Sequence, residues 1–164
     1  MLRRHDVHAA TDVTGFGLLG HLVEMVRASD VDVTISLARV PVLDGAMETV
    51  ALGIFSSLQP QNVRLRRAIR ELETVAAHPL YPLLFDPQTA GGLLAAVPLD
   101  QATSCVDALR AAGYAAADVI GFVTGRSTAL EPVTLDPTGE QLAEALAARR
   151  PSGERALTLR TAAG

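Results

Sequence analysis

The chain has 164 residues, 49% of them hydrophobic and 20% charged, a composition that fits one globular domain with its own core and excludes a disordered chain. A net charge of −4, with 4% aromatic residues and no Trp, gives neither the field nor the stacking surfaces expected of a partner for nucleic acid or an anionic membrane. The single cysteine, Cys105, excludes an internal disulfide framework and a cysteine-ligated zinc, and no apolar run has the length to span a bilayer.

The opening "MLRRHDVHAATD" has two arginines and no apolar segment behind them, so it does not read as a signal peptide. It reads as a cut in front of a strand, the expectation for a piece of a longer protein. Val7 to Ala10 is expected as a strand end. Thr11-Asp12-Val13-Thr14-Gly15-Phe16-Gly17 follows as a polar, glycine-punctuated turn. From Gly15 to Ala28, Leu18, Leu19, Leu22, Val23, Met25 and Val26 recur at helical spacing, up to a break at Asp30. Val31 to Leu37 alternates apolar and polar residues, the pattern of a half-buried strand.

Leu43 to Leu52 predicts a short helix stopped near Gly53, and "SSLQPQN" a loop. Val63 to Ala77 predicts a helix with Leu65, Ile69, Leu72 and Ala76 on one face and Arg64, Arg66, Arg67 and Arg70 on a solvated one. Tyr81 to Phe85 and Leu93 to Val97 are expected as strands around an Asp86–Gly92 turn. Gln101 to Ala112 is expected as a helix, N-capped by Asp100 and stopped by Gly113. Val119 to Thr124 and Pro132 to Leu135 predict strands, and Glu140 to Arg149 a last helix. From Pro151 onward the chain reads as a polar, mobile tail. Strands alternating with helices predict an α/β (α+β) domain with one mixed sheet. A boundary at Pro137–Gly139 sets residues 1–138 apart from a terminal helix and tail, 139–164.

Two stretches carry candidate chemistry. Asp12 stands between two threonines, beside glycines, where a helix begins. The residues alone leave two roles open: a cap for the helix N-terminus, or a ligand for magnesium, which takes hard oxygens and is held by one or two carboxylates plus substrate phosphates. One carboxylate cannot complete such a site. Asp86-Pro87-Gln88-Thr89-Ala90-Gly91-Gly92 is either a turn or a loop whose N–H groups and Thr89 hydroxyl approach an anion or wall a nucleotide site. It has no lysine and is not a P-loop. His5, His8, His21 and His78 have no ligand spacing, and His21 and His78 are expected to be structural or exposed. Cys105 shares a stripe with Ala102, Val106 and Leu109 and is expected as a buried small hydrophobe.

Taken together and in order, "TDVTGFGLLGHLVEM", "VPVLDGAME", "DPQTAGGLLAAVP" and "AADVIGFV" resemble the C-terminal half of selenide, water dikinase (selenophosphate synthetase), from about His8 to Val123. That family belongs to the ATP-using enzymes related to aminoimidazole ribonucleotide synthetase. The resemblance implies a three-layer α/β sandwich with a mixed sheet. It also implies a cytoplasmic parent enzyme, homodimeric, that makes selenophosphate, AMP and phosphate from ATP, selenide and water. It places one Mg2+ ligand on Asp12 and the phosphate or active-site wall on Thr11, Thr14, Gly15, Asp86, Gln88, Thr89, Gly91 and Gly92. The partner it implies is the N-terminal ATP-binding domain of the same parent chain, which in the family holds the nucleotide-binding aspartates, an essential lysine and a catalytic Cys or selenocysteine. Cys105 matches none of these, so this chain alone is expected to be inactive.

After the "GAxE" helix the family has a Gly-Gly-Thr type segment followed by Asn. Here the chain reads "GIFSSLQPQNVRLRRAIREL", similar to selenophosphate synthetase-like modules fused behind a flavin-dependent pyridine-nucleotide oxidoreductase. The alternatives to the kinase are therefore a non-catalytic or regulatory module of a fusion protein, or ATP-dependent phosphorylation of a different acceptor.

Overall fold

The computed structural model describes residues 2–89, 91–148 and 155–160. Among them, six strands form one mixed sheet in the order β1-β3-β6-β4-β2-β5: β1 (Ala9–Asp12), β2 (Val31–Ser36), β3 (Leu93–Pro98), β4 (Asp118–Arg126), β5 (Val133–Asp136) and β6 (Arg155–Arg160). Only β2 and β5 run parallel; the other neighbours are antiparallel.

The helices α1 (Gly17–Ser29), α2 (Ala46–Ala51), α3 (Gln59–Asn62), α4 (Leu72–Val75), α5 (Ala102–Ala111) and α6 (Glu140–Ala147) are joined by short 3-10 turns. Side chains alternate across a strand, and in β4 an irregularity between Val119 and Gly121 shifts that alternation by one residue. Ile120 and Val123 join the core under α1 with Leu19, Leu22 and Val26, whereas Val119 and Phe122 join the core under α5 and α6 with Val106, Leu109 and Leu142. Helices thus cover both faces of the sheet, the three-layer arrangement expected.

α1, β2 and α5 stand where the sequence puts them, to within two residues at each end. α1 ends at Asp30, whose φ of 50° makes it the left-handed cap. α5 stops before Gly113, which has a φ of 96°. β1 begins later than predicted, so Asp12 is its last residue. β4 extends the expected strand in both directions, and β5 starts one residue later than expected. Asp100 is corrected as a cap: it lies inside the 3-10 turn Leu99–Gln101, and no side chain caps α5. At α6 the cap comes from Asp136 instead, whose carboxylate accepts bonds from the Thr138 and Gln141 N–H groups.

Four expectations are overturned, each by tertiary structure. The predicted helix over Val63 to Ala77 is broken. A 3-10 turn (Val63–Ala68) gives way to extended Ile69, which bridges to Val133, and Arg70 N–H donates to the Val133 carbonyl at 2.8 Å. Burying Ile69 and pairing its backbone outweigh a few tenths of a kcal/mol of helix propensity per residue, roughly the span of the ordinary scale. Arg70 leaves the solvated row for an ion pair with Asp32 at 3.0 Å, while Arg64, Arg66 and Arg67 stay exposed.

Tyr81–Phe85 is a 3-10 turn and not a strand. Pro82 has no N–H for a ladder, and Phe85 is driven into the core. The "SSLQPQN" loop contains α3, with Pro60 in its first turn. Finally, the tail from Pro151 is not wholly mobile: residues 155–160 are β6, inside the sheet, and α6 packs across β2 and β4. Arg149, like the rest of the tail, lies outside the described residues. No helix among the described residues is long and apolar enough to cross a membrane.

Candidate functional site

The two motif loops, far apart in sequence, are laced together by main-chain bonds. Val13 N–H donates to the Gly92 carbonyl at 2.8 Å, and Gln88 N–H to the Thr14 carbonyl at 2.9 Å. Glycine is required at two crossing points. A Cβ on Gly91 would lie 1.5 Å from the Val13 carbonyl oxygen. A Cβ on Gly17, which has a φ of 68°, would lie 2.8 Å from the Phe85 carbonyl carbon. Gly15, in contrast, faces open space; its contribution is a carbonyl.

That carbonyl is held by a residue the sequence did not single out. Asn62, at the end of α3 and 6% exposed, donates its amide to Gly15 O at 2.9 Å and to Phe85 O at 3.0 Å. One side chain therefore fastens both loops. Its neighbour on α3, Gln59, donates to the Pro82 carbonyl at 3.0 Å. Thr14 Oγ1 and His21 Nε2 share a hydrogen bond of 3.1 Å, and the other ring nitrogen of buried His21 lies 3.6 Å from Glu24. His21 is thus structural, and it fixes the Thr14 hydroxyl.

Asp12 is exposed, and among the described residues nothing holds its carboxylate; Thr11 donates only to the Asp12 main-chain carbonyl. The capping role fails, because α1 starts at Gly17 after Phe16 with no side-chain cap. No group of three or more His, Cys, Asp or Glu that could hold a metal ion is assembled among the described residues, so Asp12 belongs to no such group here.

The second loop also lines a cavity of about 350 Å³, with Val13 of the first. Its walls include Leu18, Val40, Val42 and Leu83, and from the second loop Asp86, Gln88, Thr89, Gly91 and Gly92. Burial pushes the Asp86 carboxyl above its ordinary range, partly offset by a bond from the Ser56 N–H. Cys105 sits in the core under α5, fully buried, and burial pushes its thiol up, as expected of a packing residue.

The tightest contact gives a direct check. Gly91→Ala should lower stability by about 3 kcal/mol, because the new methyl must displace the Val13 carbonyl and its neighbouring ladder. A denaturant melt measures it, and a loss under about 1 kcal/mol would mean that the loops do not meet this closely.

The comparisons bear on this geometry. The model of the family described as AIR synthase related protein, C-terminal domain, matches residues 1–131. The chain is 43% identical over 117 residues to the selenide, water dikinase of Pelobacter propionicus, covering 71% of this chain and 34% of that protein. It is 36% identical over 121 residues to selenide, water dikinase 2 of Peptoclostridium acidaminophilum, covering 74% of this chain and 35% of that protein. Against the selenide, water dikinase of Rhizobium meliloti it is 36% identical over 129 residues, 79% of this chain and 37% of that protein. The chain spans about a third of the length of these curated relatives. The stretch matched by the family holds both loops, the asparagine that fastens them and the strands that carry them, and on that match the chain belongs to the AIR synthase related proteins, as their C-terminal domain.

Proposed function

We propose that this is the C-terminal domain of a selenide, water dikinase, which forms selenophosphate, AMP and phosphate from ATP, selenide and water. In this proposal Asp12 gives one carboxylate to a magnesium–phosphate site. Thr11, Thr14, Gly15, Asp86, Gln88, Thr89, Gly91 and Gly92 wall that site. The observation that carries the reading is the condition of Asp12: an exposed carboxylate with no partner among the described residues, at the end of β1, where the loop that follows is fastened to the second one. Rigid support for a group with no packing role is what a ligand position needs.

Asp12 fits magnesium in donor type, as one hard oxygen ligand, and phosphate and another domain must give the rest. The bound ion would neutralise charge on the transferring phosphoryl group. The other domain is the N-terminal ATP-binding domain of the same parent, in the cytoplasm. Apolar surface beside the loops supports its docking here. Phe16 is 52% exposed next to Gly17, and Phe55 and Leu58, 44% and 50% exposed, bracket the Ser56 that bonds Asp86.

Phosphoryl transfer depends on charges positioned together, and this chain holds one of them. The chain by itself, given ATP, selenide and magnesium, should form AMP only at background rate. AMP release above background that vanishes on Asp12→Ala would show a complete site here and overturn the division between domains.

A further inference from the structure

The cavity beside the second loop differs in charge from a phosphate site. At about 350 Å³ it has the size of a small-molecule pocket. Its walls are aliphatic, from Leu18, Val40, Val42, Leu80 and Leu83. Asp86 is the one ionisable side chain lining it among the described residues, with no Lys, Arg or His. An anion entering would meet a second negative charge and no cation. Asp86 itself is short of partners. Ser56 N–H donates to its carboxylate, and the Gln88 amide lies 3.5 Å from Oδ2, at the outer limit of a hydrogen bond. A half-buried carboxylate in this state gains most from a ligand that brings donors.

We propose that this cavity binds a small, largely apolar molecule that presents N–H donors, of the amidine or amide class, to Asp86. The proposal does not rest on the phosphoryl-transfer reading, with which it shares the wall residues Asp86, Gln88, Thr89, Gly91 and Gly92 but not the magnesium ligand. Asp12 does not line the cavity, and Val13, which follows it, contributes an apolar wall. The ligand's body is covered by the aliphatic walls, and its polar head is read by Asp86, beside the Gln88 amide; Thr89 also lines the cavity.

Three probes with one ring and different heads test this on the chain as it stands: benzamidine, benzamide and benzoate, titrated while the methyl NMR signals of Val42 and Leu83 are followed. Benzamidine and benzamide should shift these signals. Benzoate should bind at least about tenfold more weakly than benzamidine, the factor expected for one charge-assisted hydrogen bond. Asp86→Asn should fold, since it removes a charge that burial disfavours, and should abolish the preference for benzamidine. Ala46→Phe, which fills the cavity from α2, should weaken both donor probes. Benzoate binding as tightly as benzamidine to the unaltered chain would overturn the proposal whatever the variants do. So would a preference that survives Asp86→Asn, or shifts that miss the cavity methyls. Any of these would leave the Asp12 reading standing, because that reading is probed with magnesium.

Discussion

A chain ended after Ala148 should lose its cooperative fold. The deleted segment carries β6, which lies between β3 and β4 and pairs with both. Without it the sheet falls into two pieces, β1-β3 and β4-β2-β5, joined by no ladder. Two core positions go with it. Leu157 is 1% exposed in the core under α1, and Thr158 donates its hydroxyl to the Ala95 carbonyl at 3.3 Å. Loss of a buried leucine alone costs about 2–5 kcal/mol. A domain's whole stability is about 5–15 kcal/mol, so removing the ladder as well consumes it.

The truncated chain should show no sharp thermal transition, should bind a hydrophobic dye, and should associate through the freed edges of β3 and β4. Leu157→Ala in the complete chain should fold and melt early, which separates loss of one side chain from loss of the strand. A truncated monomer melting within a few degrees of the complete chain would show that β6 is not integral to the sheet.

β6 also marks where the sequence stops being legible. Leu157 and Leu159 alternate with Thr158, a strand signal, but the run is short and its flanks, Arg150-Pro151-Ser152-Gly153, have the composition of a tail. Pattern favours long periodic segments, and α1 and β2 were readable for that reason. Ile69 was not, because its extended backbone is secured by Val133, a partner that no local window contains. The Tyr81–Phe85 run had apolar content without a period, and its Pro82 was the cue that it turns.

At the site the same division holds. The glycine loops announced themselves by composition, since only glycine allows backbones to approach as Gly91 and Val13 do. Asn62 could not be found that way. A buried amide that donates to two distant carbonyls has no signature in sequence, and it emerges only from a count of where the backbone acceptors are satisfied.

In a full-length parent carrying this domain, Asp12→Asn should cut ATP turnover by about two orders of magnitude or more and leave the fold unchanged. Both halves follow from the same observation. Asp12 is exposed, caps no helix and has no partner among the described residues, so an amide of the same shape should change stability by no more than about 0.5 kcal/mol. The charge, however, is the part a magnesium ion uses. The ion gives up its waters reluctantly and is held by few carboxylates, so neutralising one of them removes a large share of the protein's hold.

The residual activity should need a higher magnesium concentration, because phosphate remains to recruit the ion. The isolated domain, lacking that phosphate and the other ligands, should show no saturable magnesium binding at Asp12 at millimolar concentrations. The measurement is ATP consumption by the Asp12→Asn parent across a magnesium titration, with a thermal melt alongside. An unchanged melt with lost turnover and a displaced magnesium curve supports the ligand role. Wild-type turnover with an unchanged magnesium curve excludes it and leaves Asp12 as a solvated residue at the end of β1.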